Sequence, residues 1–160
     1  MTHLKIGDPI PSFSLACDSG EIITADMLRG RPAVVFFYPQ DDSGGCVDEN
    51  VEFSALSEAF AERGARLIGV SPDDIASHGK FRAKYDLKPL LGADPERHTI
   101  EAFGLWQLKK LYGREFMGLV RTSFVIDKDG KIARIIRATR IKGHAAKMLA
   151  ALDEVLAAAQ

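Results

Sequence analysis

The sequence predicts an α/β protein with a central mixed sheet flanked by helices, and three observations carry that expectation. AVVFFY (33–38) and ARLIGV (65–70) are continuous apolar runs, the pattern of strands covered on both faces. A helical stretch over 45–62, stopped by Gly64, separates them, so strand, helix and strand form a right-handed βαβ unit. RTSFVID and KIARIIR then meet through Asp129-Gly130 as a β-hairpin, and a helix ends the chain.

The remaining elements follow in order. Residues 13–15 and 21–23 flank a turn at Asp18-Ser19-Gly20 and read as an N-terminal hairpin. Pro39 ends the first apolar strand. Ser71-Pro72-Asp73-Asp74 opens a helix to about Tyr85, with Ser as N-cap, Pro in first position and acids in the first turn. Asp94-Pro95-Glu96 repeats that signal and Gly104 closes the helix it starts. The last helix places Ala145, Met148, Leu149, Leu152, Val155 and Leu156 on one stripe. A βαβ unit, a hairpin and a terminal helix make the element order of the thioredoxin fold. The N-terminal hairpin and helices inserted between residues 72 and 111 are additions to it.

Composition bounds the function. A chain of 160 residues, 46% apolar and 27% charged, suits one globular domain over 1–160. A net charge of −1, with Lys and Arg spread along the chain apart from short clusters such as Lys109–Lys110, argues against nucleic acid or an anionic membrane as partner. No apolar run approaches the roughly 20 residues of a spanning helix. The opening MTHLKIGDPIPSF has no charged region followed by an apolar one, so no signal peptide is expected. Two cysteines are too few for a disulfide scaffold and fit a reducing, cytoplasmic setting.

Cys46 follows a strand and the loop YPQDDSGG and lies in the first turn of the next helix. Open α/β sheets place their sites at such strand ends. Only a thiolate is a strong nucleophile, and the positive end of a helix favours it. Gly44 and Gly45 leave backbone N–H groups unobstructed toward a thiolate or toward substrate oxygens that gain charge in a reaction, and Ser43 adds a hydroxyl. Cys46, Glu49, Phe53, Leu56 and Phe60 share one helical stripe, made the buried one by its apolar members. Glu49 therefore points inward and requires a cation, for which Arg121 at the head of RTSFVID is the candidate. Against this stands the plain reading, a lone cysteine as an inert core residue.

YPQDDSGGCVDE resembles the active-site loop of the peroxiredoxins, Pro-x-x-x-Thr/Ser-x-x-Cys, met here by Pro39, Ser43 and Cys46. LKIGDPIPSFSL and FGLWQLKKLYGREFMGLVRTSFVIDKDGKI extend the likeness over nearly the whole chain, toward the bacterioferritin comigratory protein (PrxQ) subfamily. The resemblance implies the peroxiredoxin variant of the thioredoxin-like fold and reduction of hydrogen peroxide or organic hydroperoxides. It makes Cys46 the peroxidatic residue and has Ser43 hydrogen-bond the peroxide. Arg121 stabilises thiolate and transition state, Pro39 shields the pocket, and Gly45 and Glu49 complete the substrate site. It implies no metal or organic cofactor; electrons come from thioredoxin or a small thiol. Monomer or weak homodimer is the expected assembly.

The chain departs from the subfamily at Gly44, where Pro is usual, and at Val47, where Thr is common. The resolving cysteine five residues after the peroxidatic one is replaced by Val51, and the subfamily's other resolving position, in the following helix, holds no cysteine. A one-cysteine cycle is the resulting expectation, with Cys17 incidental in its hairpin. The four histidines show no metal-ligand spacing and read as solvated surface. Trp106 and Tyr112 read either as pocket border or as core. GGC lacks the Gly-Lys-Ser/Thr of a phosphate loop. Two rival functions remain: a peroxide sensor or binding module on the same fold, and a dithiol–disulfide oxidoreductase, which normally needs Cys-x-x-Cys.

Overall fold

The two continuous apolar runs form the middle of a seven-stranded sheet in a computed structural model that describes residues 2–159. In chain order the strands are β1 (Ser14–Cys17), β2 (Ile22–Thr24), β3 (Ala33–Phe37), β4 (Arg66–Ser71), β5 (Leu90–Ala93), β6 (Trp106–Leu111), β7 (Arg114–Leu119), β8 (Thr122–Ile126) and β9 (Ile132–Arg137). The helices are α1 (Gly44–Ala55), α2 (Ser57–Glu62), α3 (Ile75–Tyr85), α4 (His98–Ala102) and α5 (His144–Ala158), with a 3-10 turn at Ala25–Leu28. The sheet runs β2-β1-β5-β4-β3-β8-β9, parallel through β5, β4 and β3 and antiparallel outside them. Every residue of β3 and β8 is buried, as strands covered on both faces must be.

Alternation along β3 divides the core. Val34, Phe36 and Tyr38 join Cys46, Phe53, Phe60, Phe81 and the α5 stripe in one cluster. Ala33, Val35 and Phe37 join Cys17, Ile100, Phe103 and Phe124 in the other. Phe36 stacks on Phe53 of α1 with centroids 4.1 Å apart, which seats the Cys46 helix on the sheet. Gly69 in β4 makes this possible: a Cβ there would lie 2.7 Å from the Phe36 ring.

The structure corrects four expectations. The helix over 45–62 breaks at Leu56, whose N–H is shared among the Glu52, Phe53 and Ser54 carbonyls as the last turn tightens. Ser71 does not cap α3; it ends β4 and donates to Asp73, while Asp74 is the N-cap, accepting from the Ser77 N–H at 2.8 Å. Residues 106–119, after the helix closed by Gly104 and largely without an assigned element, form a two-stranded ribbon of β6 and β7. Its turn, Tyr112-Gly113, has φ of +51° and +76°, the left-handed pair that a two-residue hairpin requires. Tyr112 is 95% exposed and borders no pocket at the cysteine. Trp106 is half-buried beneath the Arg97 guanidinium. Finally, His78 and His144 are buried at 0% and 3% exposure, not solvated, because each has a specific polar partner.

Candidate active site

Tyr38 carries the end of β3 into the loop, its N–H still bonded to the Val70 carbonyl. Pro39 is half-buried just beyond it. The loop is pinned at Asp41, a buried carboxylate that accepts from Tyr38 Oη, Ser77 Oγ and His78 Nδ1, each at 2.7 Å. His78 Nε2 faces the Gly92 carbonyl at 3.0 Å. Both ring nitrogens thus meet pure acceptors, which calls for an imidazolium donating both ways. Burial works against that charge, but the Asp41 carboxylate outweighs it and raises the His78 pKa. Asp42, at φ +56°, is held from outside by Lys84 and Tyr85.

Ser43 is the N-cap of α1 in extended conformation, yet its hydroxyl does not cap the helix. It donates instead to the Gln40 carbonyl at 3.0 Å, leaving its lone pairs as acceptors beside the first turn. Gly44 and Gly45 open the helix, and Cys46 follows, fully buried. A side chain at Gly45 would stand 3.5 Å from Arg121 Nη2 and 3.7 Å from Ile141, in the approach to the sulfur.

Arg121, just ahead of β8, reaches under the loop. Its Nη2 donates to Cys46 Sγ at 3.3 Å and its Nη1 to Glu49 Oε1 at 2.5 Å. The inward-facing carboxylate has the cation that its burial demands. Burial still pushes Glu49 up to about 7, with Arg121 opposing the rise. Burial pulls Arg121 the other way, but Glu49 and the sulfur keep it above the usual arginine range. The second Glu49 oxygen has no hydrogen-bond partner among the described residues; His144 Nε2 lies 4.0 Å from it. That nitrogen is bonded to Ser123 Oγ at 2.8 Å. Burial, with Lys147 and Arg121 nearby, lowers His144 to about 4, so its ring is neutral.

One side chain, Arg121, therefore connects a helix-terminal cysteine to a buried carboxylate and leaves a fixed positive charge facing the sulfur. Residues 6–135 match the AhpC/TSA family. The chain belongs to that family. It is 40% identical to the peroxiredoxin Bcp of Bacillus subtilis over 95% of this chain and 97% of the relative. Peroxiredoxin Q of Xanthomonas campestris superposes with a TM-score of 0.86 at 30% identity, covering 96% of this chain and 98% of that one. A mutant PrxQ of Xylella fastidiosa reaches 0.89 at 27% identity over the full length of both. The thioredoxin-like fold expected from the element order, in the peroxiredoxin variant that the resemblance implies, is the fold of this chain.

Cys17 lies apart from the Cys46, Glu49 and Arg121 cluster. It ends β1 in the other core cluster, hydrogen-bonded across its hairpin to the Glu21 carbonyl at 2.8 Å. Between β1 and β3 lie β5 and β4, and three strand spacings amount to roughly 14 Å; a disulfide needs Cα atoms within about 7 Å. Burial, then Asp18 and Glu21, raise its thiol to about 11. The residues that sequence reasoning missed are Asp41, His78, His144 and Ile141. A partial signal existed: Asp41 lies in the loop motif itself, and His144 follows a glycine at a helix start.

Proposed function

We propose that this protein is a thiol-dependent peroxidase that reduces hydrogen peroxide and organic hydroperoxides at Cys46, acting as one catalytic domain over 1–160. The observation that carries the reading is the Arg121 fork on Cys46 Sγ and Glu49 Oε1 at the start of α1. The Cys46 thiolate attacks one peroxide oxygen along the O–O axis. A sulfur–oxygen bond forms as the O–O bond breaks, and the leaving oxygen takes a proton and departs as water or alcohol. Arg121 faces the charge that moves from sulfur to oxygen. Ser43 accepts from the hydroperoxide O–H, Gly45 leaves the approach open, and Pro39 shields the pocket. Glu49 holds the guanidinium in place.

The sulfenic acid on Cys46 has no cysteine partner within reach. An external thiol attacks it, releasing water and forming a mixed disulfide that a second thiol resolves. Thioredoxin or a small thiol supplies these electrons, in the cytoplasm, to a monomer or weak homodimer. The described residues contain no helix long and apolar enough to cross a membrane.

The test is peroxide consumption with dithiothreitol by wild type and by Cys46→Ser. Serine is nearly isosteric but far less nucleophilic, so turnover is expected to vanish while the circular dichroism is unchanged. Retention of more than a few per cent removes Cys46 from the chemistry, and failure of the wild type to turn over favours a sensor.

A further inference from the structure

From residue 131 to 152 the chain has six basic residues, Lys131, Arg134, Arg137, Arg140, Lys142 and Lys147, and no Asp or Glu. The even spread of charge expected from the totals fails here. Arg134 is paired with Glu154 at 3.7 Å, but Arg137, Arg140, Lys142 and Lys147 are exposed and form no ion pair among the described residues. They line a hollow of about 120 Å³ at the start of α5. The unneutralised charge extends to Lys109, whose pKa is lowered by burial and then by Arg121 and Arg137.

This basic face adjoins the start of the cysteine helix. Ile141, between Arg140 and Lys142, packs beside Gly45, one residue from Cys46. The Gly143 N–H donates to Glu52 Oε1 of α1 at 2.8 Å, tying the segment to the cysteine helix. The placement works against the fold. Cations at a helix N-terminus oppose the macrodipole, and acids belong there; α5 has no acid in its first turn. Local stability does not account for these four side chains.

We propose that this face docks the protein that reduces Cys46: an acidic protein thiol, whose carboxylates meet Arg137, Arg140, Lys142 and Lys147 as its thiol reaches the sulfur. The inference rests on the peroxidase reading, in which oxidised Cys46 depends on an outside thiol. Four unpaired cations suit an extended acidic surface better than the one or two carboxylates of a small thiol. Charge of this kind raises the association rate and sets orientation, and salt weakens it.

The test compares wild type with Arg140→Glu/Lys147→Glu, using an acidic thioredoxin and, separately, dithiothreitol as reductant. Both substitutions favour the α5 dipole, so the variant is expected to melt no lower than wild type. The expected result is that kcat/KM for thioredoxin falls roughly tenfold or more in the variant, and falls for wild type as salt is raised from 50 to 500 mM, both within the reach of electrostatic steering. Dithiothreitol-supported turnover, and the rate at which peroxide oxidises Cys46, are expected to stay within twofold. Salt-insensitive thioredoxin kinetics, an equal loss with both reductants, or no thioredoxin turnover beside normal dithiothreitol turnover overturns the docking face. No turnover with either reductant overturns the peroxidase reading instead.

Discussion

Replacing Arg121 tests the electrostatics of the site most directly. Its guanidinium gives Cys46 Sγ one charge-assisted hydrogen bond at 3.3 Å and is steadied by Glu49 at 2.5 Å. Such a bond contributes about 1.5–3 kcal/mol, and each ~1.4 kcal/mol is tenfold in rate. The donor alone is therefore worth roughly 10- to 100-fold. The positive charge facing the polarising O–O bond is lost as well, and removal of a comparable oxyanion donor costs ~10²–10³. Arg121→Met is thus expected to slow Cys46 oxidation by about 10²- to 10³-fold. Arg121→Lys keeps the charge but cannot fork to two partners, and an intermediate loss is expected. The Met variant should still fold. Arg121 is what opposes the burial of Glu49, whose value is about 7 with it present, so without it the carboxyl takes up a proton and is neutral. The assay is rapid mixing with one equivalent of peroxide in a Cys17→Ser background, counting unreacted thiol by maleimide and mass. A Met variant within threefold of wild type refutes the reasoning.

Three further outcomes follow from the same geometry. Glu49 is raised from 4.5 to about 7, so the folded state binds the extra proton between those values and its stability falls as pH rises through them. Relative to wild type, Glu49→Gln should gain in melting temperature from pH 4.5 to 7 while oxidising Cys46 at least roughly tenfold more slowly, the loss of one charge-assisted bond; a parallel pair of melting curves contradicts this. His78 is raised above 6.5, chiefly by Asp41 against its burial, so its contribution is complete below pH 6.5 and lost as pH rises through the higher folded value. The melting temperature of His78→Gln should lie below wild type at pH 6, with the gap closing toward pH 9, and equal offsets at both ends would show that no charge is involved. After one equivalent of peroxide without thiol, peptide mapping should find no Cys17–Cys46 disulfide, a lasting dimedone adduct on Cys46, and sulfinic acid with excess peroxide.

The legible parts of the chain were those where sequence spacing and physical need coincide. Continuous apolar runs identified β3 and β4, and the period of α1 put Glu49 on a buried stripe. A buried carboxylate needs a cation, and Arg121, 72 residues away, was the candidate for it, the same arginine to which the family resemblance points. The misreadings share a cause: partners distant in sequence with no periodicity to announce them. His78 meets Asp41 across 37 residues and His144 meets Ser123 across 21, so neither burial could be read from its own neighbourhood. The β6–β7 ribbon was missed because its strands carry charged and exposed residues, and because Tyr112 takes a left-handed conformation that aromatic residues rarely adopt. Ser43 was located at the helix start, but its hydroxyl turns to Gln40.

Neither of the two buried histidines adds net positive charge beside Cys46. His78 is an imidazolium whose charge is neutralised by Asp41, and it serves to hold the loop. His144, within 4.0 Å of Glu49, would add a second cation beside the sulfur if it were protonated, but burial, Lys147 and Arg121 hold it at about 4. The cation bonded to Cys46 Sγ is Arg121, which does not titrate in the physiological range. Burial places Glu49, the carboxylate that steadies the Arg121 fork, at about 7. Below that value Glu49 takes up a proton and Arg121 loses the anion that steadies it; above it, the clamp is complete. The rate of Cys46 oxidation should therefore rise with pH through about 7 in wild type, over and above whatever the thiol contributes. That Glu49 component should be absent from Glu49→Gln, whereas His144→Asn, which replaces a neutral ring by a neutral amide, should retain it.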